Sequence, residues 1–110
     1  MRLSQRRKNS MKENVKKELD TIKMMVLRWQ KNYVEWATGD GGNDYLIQEF
    51  SEEISMHVSP LIRRLYENGF LTLTEHHEFM ESIYNQINVL HDLIKIKEAE
   101  TKKTPKGIWA

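Results

Sequence analysis

An all-α fold, an antiparallel bundle of three long helices, is what this sequence predicts, and three observations carry the prediction. The first is a seam: Val15, Leu19, Ile22, Val26, Trp29, Tyr33 and Trp36 recur at alternating steps of four and three. A stripe of this coiled-coil kind is stable in water only when another apolar stripe covers it. The second is a pair of further helical patterns, so that all three span about 25 residues, or roughly 38 Å at the helical rise per residue. Helices of matching length cover one another along their whole extent, which favours antiparallel packing. The third is the breaks between them, a glycine-rich cluster at Thr38–Asn43 and an Asn68-Gly69 pair.

Taken in order, residues 1–10 read as a basic flexible arm, with Asn9-Ser10 as an N-cap for a helix from Met11 to Ala37. Glu13 and Lys17 stand at i, i+4 on its outer face. Two tryptophans and a tyrosine near its end place the heaviest burial there. The glycines that follow lack both a preceding strand and a Lys-Ser/Thr pair, so they read as a loop rather than a phosphate cradle. A second pattern from Asp44 carries Ile47, Phe50, Ile54, Leu61 and Leu65 on one side. Pro60 interrupts it, and the helix either kinks there or splits, with Ser59 as cap and Pro60 at the first helical position.

A split gives a four-helix bundle whose two basic ends meet in one cationic patch. A kink gives three passes, with Lys12 and Lys97 at opposite ends and an acidic waist between. Met56-His57-Val58-Ser59 holds no glycine or asparagine for a chain reversal, which favours the kink. Phe70 and the leucines beside it are expected to close one end of the core. Thr72 and Glu75 have the spacing of a capping box, with Thr74 competing. The last helix, from about Thr74 to Glu100, aligns Phe79, Ile83, Ile87, Leu90 and Ile94, widened by Met80 and Tyr84. Its lysines suit the negative helix C-terminus, and Pro105 and Gly107 stop it. The bundle domain is thus placed at 11–101 and a basic tail at 102–110.

One domain is expected of 110 residues with 39% hydrophobic and 30% charged composition. With no cysteine in the chain, disulfides, thiolate metal sites and thiol nucleophiles are excluded. No stretch approaches the ~18 apolar residues of a membrane helix, and no signal-type apolar segment follows the N-terminal charges. The expectation is a soluble intracellular protein without membrane contact. The net charge of +1 hides a segregation: residues 1–31 balance to +7, 32–94 to −9 and 95–110 to +3. Basic ends around an acidic body serve solubility, and they also suit contact with an anionic partner.

Chemistry-bearing motifs are absent. His57, His76, His77 and His91 include no pair with the Glu-x-x-His or zinc-protease spacing, and no Glu stands three before any His. His57 falls near an apolar stripe and reads as half-buried, bonded to a neighbour. No two carboxylates are singled out as a facing pair. Trp29, Tyr33 and Trp36 at seam positions read as core rather than as stacking platforms for bases. No catalytic residue, metal or cofactor is therefore expected. The candidate contact residues, for a protein or a nucleic acid, are Arg2, Arg6, Arg7, Lys8, Lys12, Lys16, Arg63, Arg64, Lys102, Lys103 and Trp109. A homodimer through the helix-one seam is a further expectation.

The segment Ser59-Pro60-Leu61-Ile62-Arg63-Arg64-Leu65 resembles the Pro-Leu-aromatic-Arg-basic-Leu segment in the C-terminal helical domain of the pre-mRNA-splicing factor 18 family. Trp29 upstream and Pro105-Lys106-Gly107-Ile108-Trp109 downstream stand at separations similar to that family's. The family's domain is a five-helix bundle, whereas this chain ends where a fifth helix would begin. The resemblance implies a non-enzymatic spliceosomal factor that binds a protein partner, acts in the second step of splicing and resides in the nucleus. The leading expectation is a small helical adaptor that docks on a larger assembly, with splicing as the named instance. The alternatives are a nucleic-acid-binding accessory protein using the basic ends, and a small helical enzyme or metal-binding bundle.

Overall fold

The computed structural model describes the backbone of residues 2–103 and the side chains of residues 12–101. Every regular element among them is helical: α1 (Arg2–Trp36), α2 (Asp44–Glu53), a π-helical segment (Ile54–Val58), α3 (Ser59–Glu67) and α4 (Leu73–Lys103). The helical backbone of α1 begins at Arg2, where the sequence places a flexible arm through residue 10 and a start at Met11. Residues 2–10 contain neither glycine nor proline, so nothing in them stops a helix propagating through Asn9-Ser10. No helix among the described residues is long and apolar enough to cross a membrane.

The α1 seam enters the core in its middle and leaves it at its end. Ile22, Val26 and Tyr33 are buried, and Val15, Leu19 and Trp29 are half-buried against them, so this seam is covered within the chain. Trp36, expected at the point of heaviest burial, is 59% exposed. The cause is the mismatch between a 3.5-residue repeat and a 3.6-residue helix, which rotates the stripe by about 20° per heptad and so by about 60° from Val15 to Trp36. Trp36 thereby slides to the flank, where its ring stands edge-on to Tyr33 at 5.2 Å and 86°.

The contacts with α1 run in two opposite orders. Along α4 the order matches: Gln30 Nε2 donates to the Gln86 carbonyl at 2.9 Å, and Lys97 Nζ donates to the Val34 carbonyl at 2.8 Å. Further on, the Thr101 side chain fills the space beside Gly39. Along α2 and α3 the order runs backwards. Tyr33 meets Phe50 and Glu53, Trp29 meets His57, and Asn14 and Val15 share a cleft with Leu65. From Lys12 to Val34, where Lys97 binds, α1 rises about 33 Å. Lys12 and Lys97 therefore sit at opposite ends.

The helical backbone is unbroken from Asp44 to Glu67 and passes Pro60 through the π segment. There the Ser59 amide donates to the Ile54 carbonyl, five residues back. Proline lacks a donor and its ring collides with the carbonyl four residues earlier, so a wider turn just before it relieves the crowding. The wide turn also realigns the core face. Leu46, Phe50, Ile54, Val58 and Ile62 stand at steps of four, and none is more than 1% exposed. In a regular α-helix such a series rotates by about 40° per step, or about 160° in all. One extra residue in the turn takes back about 100° and keeps the five on one face. This displaces the predicted stripe: Ile47, Leu61 and Leu65 are only half-buried.

Gly69, at φ 78°, ends α3 in a Schellman motif: Phe70 N–H donates to Leu65 O at 2.9 Å and Gly69 N–H to Tyr66 O at 3.0 Å. Leu71 alone closes this end of the core. Phe70 and Leu73, expected to help, are 40% and 51% exposed because the tight turn aims them outward. The capping box forms as spaced, with Thr72 N–H donating to Glu75 Oε1 at 2.9 Å and Glu75 N–H to Thr72 Oγ1 at 3.1 Å. On α4 Met80, Ile83, Leu90 and Ile94 are buried and Phe79 and Ile87 half-buried, while Tyr84 stays exposed.

At the other end the α1–α2 loop is pinned to α4 by Asn43, which is buried. Its Oδ1 accepts the Thr38 amide at 2.9 Å, and its Nδ2 donates to Thr38 O at 2.8 Å and to Glu98 Oε2 at 2.9 Å. Asn43 holds the N-cap position of α2, yet its side chain serves the loop instead of the helix. Gly41 and Gly42, at φ 96° and 75°, supply the left-handed backbone that brings it there. The carbonyl end of α1 is covered by Lys97, a cation where the helix dipole is negative.

Candidate functional site

The stripe that rotates off the core creates a surface. Met25, Trp29 and Trp36 follow one another at four and seven residues along the flank of α1, which puts them on one side of the helix. Opposite them, the π segment raises Met56 and His57 out of the helical run. Met56 is 68% exposed, and Pro60 and Leu61 continue the wall. Met25 and Trp29 on one side, and Glu53, Met56, His57, Pro60 and Leu61 on the other, line an open groove between α1 and the run from α2 to α3, and Trp36 follows further along the same flank of α1. His57, expected half-buried and bonded to a neighbour, is instead exposed, with its ring at 6.3 Å and 65° from that of Trp29. Residues that slip into a wide turn are pushed outward, and π turns of this kind recur at functional positions.

Towards Tyr33 the groove turns acidic. Glu49, Glu52 and Glu53 come from consecutive faces of α2 and converge on Tyr33, whose hydroxyl donates to Glu53 Oε1 at 3.4 Å. Burial, reinforced by the charges of Glu53, Glu49 and Glu52, pushes the Tyr33 hydroxyl up to about 12. It thus stays a neutral donor at any physiological pH. Flexible methionines beside tryptophans, rimmed by one sign of charge, form a surface suited to a protein segment rather than to a small molecule.

The basic residues named from the sequence fall elsewhere. Lys12 and Lys16 are exposed on α1, and Lys12 lines an open cleft with Val15, Phe70, Thr72 and Glu75. Arg63 and Arg64 are exposed on α3, next to Leu65, which shares a cleft with Val15; the four cations therefore occupy one end of the molecule. The backbones of Arg2, Arg6, Arg7 and Lys8 belong to α1, and those of Lys102 and Lys103 to α4, but their side chains lie outside the described residues. Trp109 lies outside them altogether.

Among the described residues no three His, Asp or Glu side chains gather where they could hold a metal ion. His76 and His77 stand with ring centroids 5.6 Å apart, and His76 also faces Tyr66 at 5.4 Å. The Nδ1 of His76 is buried without a partner. Sequence reasoning missed the groove because it assigned the aromatic end of the seam to the core and read Pro60 only as a kink or a break. The heptad drift was the available signal for Trp36; the outward turn of Met56 had none. No family model, curated protein or solved structure matches this chain.

Proposed function

We propose that this chain is a non-enzymatic helical adaptor that docks on a larger protein assembly through the groove between α1 and the α2–α3 run. The observation that carries the reading is the combination of exposed Met56 on one wall of the groove with half-buried Trp29 and Met25 on the other. Tryptophan and flexible apolar side chains of this kind are what protein interfaces use as anchors. The form that goes with it is an up-down-up, three-pass bundle whose second helix bends without reversing at Pro60. Support comes from the opposite contact orders on α1 and from the unbroken helical backbone across Pro60. Homodimerisation through the α1 seam draws little support, since Ile22, Val26 and Tyr33 are already covered.

Splicing is the named instance of this adaptor, supported by Ser59–Leu65 starting α3 with Pro60 in its first turn. The test is a pull-down from nuclear extract with the native chain and with Met56→Glu, an exposed position whose change leaves the core intact. Splicing components recovered by the native chain and lost with the variant support it. Recovery of none removes the splicing instance, and equal recovery by both removes the groove. A nucleic-acid reading is favoured by one observation, the shared end of Lys12, Lys16, Arg63 and Arg64. Four phosphate contacts predict a log-log salt slope of about −3 for RNA binding. A salt-independent affinity, or none, removes that reading.

A further inference from the structure

We infer that the segment the groove takes is a basic amphipathic helix of at least two turns, anchored by apolar side chains on the Trp29–Met56 floor and by Lys or Arg against Glu49 and Glu52. The inference rests on the docking reading above and names its partner by chemistry. Length comes first. From Met25 to Tyr33 the α1 side of the groove measures about 12 Å, which matches about eight residues of helix lying between two helices. A groove bounded by two helical walls takes a third helix by its apolar stripe, with anchors at i, i+3 or i+4 and i+7.

Charge decides the sign of that helix. Glu49 and Glu52 are exposed at the Tyr33 end of the groove, and Glu53 lines both its acidic and its apolar parts. The hydroxyl of Tyr33 engages Glu53, while Glu49 and Glu52 are exposed, Glu52 accepting only a long bond from Gln48 Nε2 at 3.3 Å on its own helix. A partner helix meets this pattern best with its basic residues towards α2. Nucleic acid is the wrong charge for this site. The methionines add tolerance, since unbranched thioether side chains repack around different anchors, and the surface reads a class of sequences more than a single one.

The test uses the full chain, uniformly 15N-labelled, and three synthetic peptides of about 14 residues with the same Trp and Leu anchors. One carries lysines at the polar positions, one glutamines and one glutamates. The expected result is that the lysine peptide shifts amide signals of residues 25–36 and 49–61 and binds most tightly. Glu49→Gln with Glu52→Gln, both exposed and outside the core, should weaken it about three- to fivefold per carboxylate removed, and the loss should shrink in high salt. Equal binding of the lysine and glutamine peptides overturns the basic preference while the docking reading stands. Shifts confined to residues outside the groove, with all three peptides, overturn both. Shifts in the groove on adding a single-stranded RNA oligonucleotide, or concentration-dependent self-association abolished by Met56→Glu, overturn the inference in favour of RNA or of a second copy.

Discussion

Replacing Asn43 by alanine removes the clasp between the α1–α2 loop and α4, and the structure allows the cost to be worked out. Three short hydrogen bonds are lost, from the Thr38 amide to Oδ1 and from Nδ2 to Thr38 O and to Glu98 Oε2, all between 2.8 and 2.9 Å, together with a long one from Thr38 Oγ1 to Oδ1 at 3.4 Å. A neutral bond contributes about 0.5–1.5 kcal/mol and one to a charged group about 1.5–3 kcal/mol. Thr38 is exposed, so water recovers part of its two short bonds, and the net loss is about 2–3 kcal/mol, or roughly 10 °C in Tm for a domain of this size. Asn43→Asp should be worse than alanine, because it turns the Nδ2 donor into an oxygen facing Thr38 O and Glu98 Oε2. Urea unfolding followed by circular dichroism measures both, with an unchanged m-value as the check that the unfolded state is the same. A double-mutant cycle with Glu98→Ala should return about 1–2 kcal/mol of coupling. A loss under about 0.5 kcal/mol for Asn43→Ala, or strict additivity with Glu98→Ala, refutes the clasp.

Lys97→Met strips the cation from the Val34 and Glu35 carbonyls while keeping most of the side-chain stem; it should destabilise by about 1–2 kcal/mol in the same unfolding assay, with the frayed end of α1 exchanging its amide hydrogens faster. The capping box predicts an acid effect of definite sign. Hydrogen bonds from the Thr72 amide and hydroxyl, with a smaller pull from Lys12, hold the Glu75 carboxyl below its ordinary value. Its contribution to stability is therefore present above the ordinary carboxylate range and lost as pH falls through the lowered value; Glu75→Gln should flatten that part of the stability–pH curve, and Thr72→Ala should cost about 1 kcal/mol at neutral pH. At the alkaline end the sign is opposite. Tyr33, raised to about 12, favours the folded state below the ordinary tyrosine value and loses that contribution between about pH 10 and 12, so ultraviolet titration should find one late-ionising tyrosine that Tyr33→Phe removes.

Much of the fold was legible because helical burial follows spacing. The Ile22–Val26–Tyr33 seam, the Ile83–Leu90–Ile94 stripe, the Thr72–Glu75 box and the glycine loop all depend on residues within a few positions of one another. What was not legible depends on accumulated rotation. The seam drifts by about 20° per heptad, too little to see between neighbours but enough to turn Trp36 out of the core. In the second helix the Leu46–Ile62 series at steps of four lies on one face only because the π turn before Pro60 takes up an extra residue. The predicted Ile47–Leu61–Leu65 stripe is the answer for a regular helix. The groove beside Trp29 comes from both effects together, which is why Trp29 and Trp36 read as core and Met56 was not singled out. The position of Asn43 between Thr38 and Glu98 required the loop and the last helix to meet, a contact across 55 residues of chain that no local pattern encodes.

The most direct test of the docking surface is site-specific photo-crosslinking in extract of cells that express the chain, with benzoylphenylalanine at position 56 and, as control, at the exposed Asn88 of α4. The account predicts a protein adduct of defined mass from position 56 that is absent from position 88 and competed away by the lysine-bearing peptide. Equal adducts from both positions, or a defined adduct from position 88 alone, would contradict it.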